Sequence, residues 1–145
     1  MGSGEYRTPP PQPWCLAVSS GYGDPTTAPF WEGARQHRLL IQKCGSCGGY
    51  QFYPRPFCIK CNADDVDWVE ATGIGAVYSL STVHIPPSPD FEVPYVVAIV
   101  QLEEGPKLMT NIVNGPCSIG DSVRVVWQPR AGTPPLPMFE PASAQ

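Results

Sequence analysis

Four cysteines carry the strongest chemical signal in the chain. Cys44-Gly45-Ser46-Cys47 and Cys58-Ile59-Lys60-Cys61 form two C-x-x-C pairs with ten residues between them. A C-x-x-C turn aims two thiolates at one point, and two such turns supply a closed tetrahedral shell of four sulfurs. The intervening stretch suits a hairpin-like return. Gly48-Gly49 frees the backbone after the first knuckle, and Pro54-Arg55-Pro56 stiffens the approach to the second. Zinc is the expected occupant, and iron fits the same four thiolates. With no position left for water, the site is expected to be structural, not catalytic. A thioredoxin-like redox site would use one such pair in a βαβ setting, and a disulfide framework would need an oxidising compartment. Cys15 and Cys117 have no neighbour that would activate them and are read as free thiols without a role.

Charge adds a second signal. Arg35, Arg38, Lys43, Arg55 and Lys60 fall in a window, 35–60, that contains no Asp or Glu. A tetrathiolate metal centre carries a formal charge of about −2, which part of this basic density balances. The remainder points to an anionic partner. Arg55, rigid between two prolines, is the preferred phosphate contact, with Lys43 and Lys60 beside it, because a planar guanidinium grips phosphate bidentately. Catalysis by this chain alone has little support. His37 and His84 have no nucleophile or acid partner in sequence, no Gly-x-Ser-x-Gly elbow is present, and the simpler reading of His84 is an exposed strand end near Asp90.

The elements that must position these residues follow from composition and pattern. Of 145 residues, 42% are hydrophobic and 15% charged, which excludes a disordered chain and a coiled coil. Nineteen prolines exclude a helical bundle. A net charge of −4 argues against a general nucleic-acid binder. No apolar run approaches the roughly 20 residues of a membrane span. The start has neither a signal-peptide pattern nor, with Tyr6 in place of Ser or Thr, a myristoylation signal, so a cytoplasmic location is expected. Residues 1–25, with Pro9-Pro10-Pro11 and Pro13, read as an extended proline-rich tail whose apolar piece, Trp14 to Val18, packs on its own domain or stays disordered, with a partner surface as the sharper alternative.

A helix is expected over 27–40, capped by Thr26 or Thr27, with Pro29 early and Glu32 near the positive dipole end. Phe30 and Trp31 give it one aromatic end, either core or a docking surface. From Val66 onward the pattern turns to strands. Val66, Trp68 and Glu70 lead into a β-rich run from 72 to 84, broken near its start by Gly73 and Gly75, as at a barrel corner. Tyr95 to Leu102 reads as a buried strand, turned by 103–106 into a hairpin with 107–113; 123–127 follows, and the later prolines leave room only for a short closing piece near Phe139. About five strands with Gly/Pro turns indicate a small antiparallel barrel of the OB kind, with a loop at 114–121 where such barrels commonly carry a helix.

The order of parts is specific: Phe30-Trp31-Glu32-Gly33, Lys43-Cys44-x-x-Cys47, Tyr53-Pro54-Arg55-Pro56-x-Cys58-x-x-Cys61, Gly73-x-Gly75-x-Val77-Tyr78-Ser79, Pro94 to Val100, and Ile119-Gly120-Asp121-x-Val123. From about Phe30 to Phe139 the chain resembles the family of rubredoxin-like zinc-ribbon plus OB-fold proteins associated with acyl-CoA metabolism. Beyond the proline-rich tail (1–25), which the resemblance leaves out, the expected fold is mainly β, with a helix plus zinc ribbon (26–65) and an OB-fold barrel (66–145). The resemblance further implies a non-catalytic accessory subunit beside a thiolase, or a lipid-transfer-protein-like thiolase or aldolase. The partner would supply the nucleophile and share its CoA thioester channel, and the coenzyme A phosphates would then be the anion met by Arg55, Lys43 and Lys60. The alternative is a single-stranded nucleic-acid-binding protein, since both modules bind nucleic acid elsewhere. It ranks second because residues 66–145 hold only Lys107, Arg124 and Arg130 against eight acids.

Overall fold

The computed structural model describes residues 24–143; most of the proline-rich tail, including Cys15 and the piece from Trp14 to Val18, lies outside the described residues. The chain runs through α1 (Ala28–Arg35), β1 (Leu40–Cys44), β2 (Tyr50–Gln51), β3 (Val66–Glu70), β4 (Ile74–Val83), β5 (Tyr95–Leu102), β6 (Lys107–Ile112), β7 (Ser122–Arg130) and β8 (Thr133–Pro141). The first three strands form a small sheet in the order β2-β1-β3, and the remaining five close a barrel in the order β4-β5-β6-β8-β7. Val66–Glu70 follows the second knuckle and pairs antiparallel with β1 along its whole length, so this strand belongs to the ribbon's sheet and not to the head of the barrel.

The helix is eight residues long, shorter than its expected reach to Leu40. Gly33 explains the early stop. The backbone N–H groups of Gln36 and Arg38 both donate to the Gly33 carbonyl, and His37 takes a positive φ of 57°. The chain thereby doubles back so closely that a Cβ on Gly33 would stand 2.7 Å from Leu40 Cγ. Thr27 does occupy the N-cap position, but without a side-chain capping bond, and its hydroxyl donates to the Asp24 carbonyl instead. Glu32 is not in the first turn; it accepts from Arg35 and Gln36 further along the helix.

In the barrel, β5 and β6 form the expected hairpin, with Val100 opposite Leu108. Ala98, Val100 and Leu102 point inward beside Val77, Leu108, Val123 and Phe139. Gly75 allows β4 to press against β5, since a Cβ there would lie 2.5 Å from the Gln101 carbonyl oxygen. The 114–121 connection is a loop, pinned by Ser118 N–H donating to Asp121 and by Gly120 N–H donating to the Val77 carbonyl.

β8 corrects the expectation of a short closing piece: it has nine residues despite Pro134, Pro135, Pro137 and Pro141. Its parity makes this possible. Ala142 N–H donates to the Ser122 carbonyl, whereas the Phe139 carbonyl accepts from Val113 on the opposite side. Even-numbered residues therefore serve the β7 ladder. Within the regular register from Leu136 to Pro141, Pro137 and Pro141 fall on the β6 side, where the ladder asks almost nothing of them; Pro134 and Pro135 lie where the β7–β8 register shifts. On that side β6 and β8 run parallel and meet at one pair only, Ile112 with Phe139.

Candidate metal centre and docking cleft

The two knuckles bring Cys44, Cys47, Cys58 and Cys61 together, with all four Sγ atoms within 4.8 Å of one another. Cys44 and Cys61 are 3.6 Å apart, as are Cys47 and Cys58. A tetrahedron with metal–sulfur bonds of about 2.3 Å has edges of about 3.8 Å, so the spacing fits a zinc- or iron-sized ion. Backbone N–H groups turn toward the sulfurs: Cys47 N–H toward Cys44 Sγ at 3.5 Å and Lys60 N–H toward Cys58 Sγ at 3.4 Å. Such donors draw the Cys58 thiol down to about 6, the Cys61 N–H contributing most and the Lys60 N–H next. Cys61 moves the other way. The Ala63 N–H lowers it, but desolvation and the three neighbouring sulfurs prevail and push it up to about 12. Four thiols this close resist losing all their protons unless a cation takes their place. The described residues thus form a four-cysteine metal-binding cluster with every ligand position taken by sulfur, which suits a structural metal.

Sequence reasoning missed what holds the knuckles. Gln42 on β1 and Gln51 on β2 are each only 4% exposed and stand opposite each other. Gln42 Nε2 donates to the Arg55 carbonyl at 2.9 Å, while its Oε1 accepts from Arg55 N–H and from Gln51 Nε2, each at 2.8 Å. Gln51 also donates to the Phe57 carbonyl and accepts from Ile59 N–H, fixing the backbone on both sides of Cys58. Asp65 does the same for the first knuckle, accepting from Ser46 Oγ at 2.8 Å while its own carbonyl accepts from Gly45 N–H. The available signal was Gln42 itself, an uncharged polar residue directly after Leu39-Leu40-Ile41.

The expected phosphate contacts do not converge. Arg55 is exposed and lines a cleft of about 300 Å³ with Gln42, Pro56 and Trp68. Lys43 stands on the other face of β1, its Nζ 5.2 Å from the Tyr50 ring centroid, because successive strand side chains alternate. Lys60 reaches over the first knuckle, where a Cβ on Gly49 would lie 3.2 Å from its Nζ and 3.3 Å from Cys47 Sγ. Arg35 and Arg38 pair with Glu32 and Glu70. His84 is exposed, and Cys117 is partly buried, its thiol pushed up by desolvation and by the nearby Asp121.

Of the two readings left open for Phe30, core or docking surface, the structure places it in the core, 6% exposed and packed edge-on against Trp31 at 4.8 Å. Trp31 lies half-buried over it. The pair helps to form an apolar cleft of about 250 Å³ in which Trp31 and Tyr53 face Met109, Pro137 and Met138 across the β6–β8 seam. A second cleft of about 380 Å³, under Phe91 and Tyr95, shares Asn111 and Met138 with the first, so one groove follows the seam. Met109 is 62% exposed, and on the second knuckle Phe57 and Ile59 are also exposed. Among the described residues, no helix is long and apolar enough to cross a membrane.

Comparison with known proteins agrees with this architecture. Residues 31–67 match the ChsH2 rubredoxin-like zinc ribbon domain, and residues 68–128 match the ChsH2 C-terminal OB-fold domain. A probable enoyl-CoA hydratase alpha subunit from Thermomonospora curvata is 45% identical over 120 residues; the match takes in 80% of this chain but only 38% of that protein. A DUF35 domain-containing scaffold protein from Methanothermobacter thermautotrophicus is 32% identical, over 65% of this chain and 74% of the relative. Among solved structures, a chain of an Ltp2-ChsH2(DUF35) aldolase superimposes with a TM-score of 0.76 at 43% identity, over 82% of this chain and 96% of that one. From its four-cysteine ribbon through its five-stranded barrel, the chain belongs to the DUF35 family of rubredoxin-like zinc-ribbon plus OB-fold proteins.

Proposed function

We propose that this protein is a non-catalytic accessory subunit of a thiolase-like acyl-CoA enzyme, of the aldolase or thiolase kind, and that its ribbon holds zinc. The observation that carries the reading is the seam groove. Helix, ribbon and barrel each contribute apolar side chains to one exposed surface, and the four-cysteine cluster fixes the ribbon's share of it. The relative whose chain is covered almost end to end is part of an Ltp2-ChsH2(DUF35) aldolase, which supports a partner of that type. The groove then docks the partner through half-buried Trp31 and exposed Tyr53 and Met109, the aromatic and methionine side chains that are enriched at interfaces. Arg55 is retained as the contact to the coenzyme A phosphates, at the cleft beside Trp68. Lys60 balances the thiolate charge.

Nucleic acid is the weaker reading. Two of the barrel's basic side chains are engaged internally, Lys107 over the Tyr78 ring and Arg124 with Glu140. Co-purification of the tagged full chain from its native host tests the proposal, with metal analysis of the product. A thiolase-fold protein in fixed ratio, lost on Met109→Asp, with one zinc per chain, is the expected result. Nucleic acid removable by salt, with no protein partner, would overturn it.

A further inference from the structure

One cleft stands apart from the groove and the metal centre. It lies where the C-terminal end of α1 meets the β7–β8 hairpin, encloses about 380 Å³, and is lined by Arg35, His37, Arg130 and Thr133 with no carboxylate. The cleft beside Trp68 has a single basic side chain, and the one under Phe91 carries Asp90 and Glu92.

The fold positions each of these groups. Arg130 donates through Nε and Nη2 to the Pro134 carbonyl at 3.0 and 2.7 Å, which sets the plane of its guanidinium. The His37 ring lies flat on Trp127, with centroids 5.8 Å apart and planes 9° from parallel. Arg35 is paired with Glu32 at 3.3 Å, but both side chains are more than half exposed and Glu32 has a second donor in Gln36 Nε2. Such a surface pair exchanges at little cost. Basic residues at a helix C-terminus often do no more than answer its dipole. Here the Gly33 and Ala34 carbonyls already accept from Gln36, His37 and Arg38 N–H groups, and Arg130 arrives from the barrel hairpin, so that account leaves the convergence unexplained.

We propose that this cleft binds a phosphoryl anion, a diphosphate or phosphomonoester group, between the guanidiniums of Arg35 and Arg130 with His37 as a ring N–H donor. Donors arriving from two elements suit the several peripheral oxygens of a phosphoryl group better than the two of a carboxylate. The site is independent of the assembly reading above.

Isothermal titration of the metal-loaded full chain with inorganic pyrophosphate at low ionic strength tests it. Saturable binding is expected, about tenfold or more weaker in Arg35→Gln and Arg130→Gln and unchanged in Lys107→Gln, which removes a charge elsewhere. Because Arg130 also braces the hairpin, Arg35→Glu supplies an exposed second variant, expected to abolish binding. No saturable binding, or equal weakening in the Lys107 variant, would overturn the proposal. Coenzyme A then separates the sources. Displacement of pyrophosphate supports the site and makes the coenzyme its ligand, whereas pyrophosphate binding that coenzyme A leaves untouched supports the site and detaches it from acyl-CoA chemistry.

Discussion

The Tyr53 hydroxyl accepts the backbone N–H of Met109 at 3.2 Å, so a ribbon side chain occupies the place where β6 would otherwise meet β8. Barrel closure leaves this edge of β6 short of strand partners, and the ribbon's aromatic cluster covers it. Tyr53→Phe removes only the hydroxyl. The Met109 amide is expected to exchange hydrogen faster in the variant, with a stability loss of about 0.5–1 kcal/mol, the lower part of the usual hydrogen-bond range because water reaches this position. Unchanged protection at Met109 would mean that the seam does not depend on the bond.

Gln42 is a sharper case. Replacing it with Leu keeps the volume but leaves the part-buried N–H and carbonyl of Arg55, and one donor of buried Gln51, without their partner. The expected loss is about 2–4 kcal/mol, since unsatisfied buried polar groups cost more than the net worth of the bonds removed. The approach to Cys58 loosens with it, so metal affinity measured by chelator competition should fall in the same variant. A drop in stability with affinity intact would confine Gln42 to packing.

These two side chains also mark where the sequence stopped being readable. The ligand set was legible because C-x-x-C spacing is local chemistry, and the β5–β6 hairpin because Glu103-Glu104-Gly105-Pro106 is a local turn signal. The Gln42–Gln51 clamp and the pairing of Val66–Glu70 with β1 are relations between strands, set by which neighbour the sheet offers. The nine-residue β8 was hidden because prolines argue against strands in general, yet here the parity of Pro137 and Pro141 sends their missing N–H away from the ladder, and Pro134 and Pro135 sit at a register shift. Helix length failed for a similar reason: Gly33 ends α1 through a contact with Leu40, not through its own propensity.

Removal of the metal should act on the ribbon before the barrel. The ribbon has a sheet of three short strands and adds Leu39 and Ile41 to the core, whereas most of the buried core, Val77, Val100, Val123 and Phe139 included, lies on the barrel strands. Cys47→Ser, or a strong chelator, is expected to abolish amide protection across 40–70 while Val100 stays protected. Simultaneous loss in both regions would show instead that ribbon and barrel unfold as one unit.

Glu140 ties the end of the barrel together and gives stability a signed pH dependence. Its Oε2 accepts from Asn114 Nδ2 at 2.7 Å, and its Oε1 from Arg124 Nε at 2.8 Å. The Asn114 bond, then the Arg124 bond and charge, hold the carboxyl below its ordinary range. A carboxyl with a depressed folded pKa binds protons more readily in the unfolded chain. Its stabilising contribution is therefore complete above about pH 4.5 and is lost as pH falls through the lower, folded value. Glu140→Gln removes the titration while keeping the shape. In urea unfolding from pH 7 to pH 3, the native protein should be the more stable at neutral pH, and the gap between the two should narrow steadily below about pH 4.5. A gap of constant size across that range would show that the Glu140 carboxyl titrates alike in the folded and unfolded chain, and that its bonds to Asn114 and Arg124 do not favour its charged form.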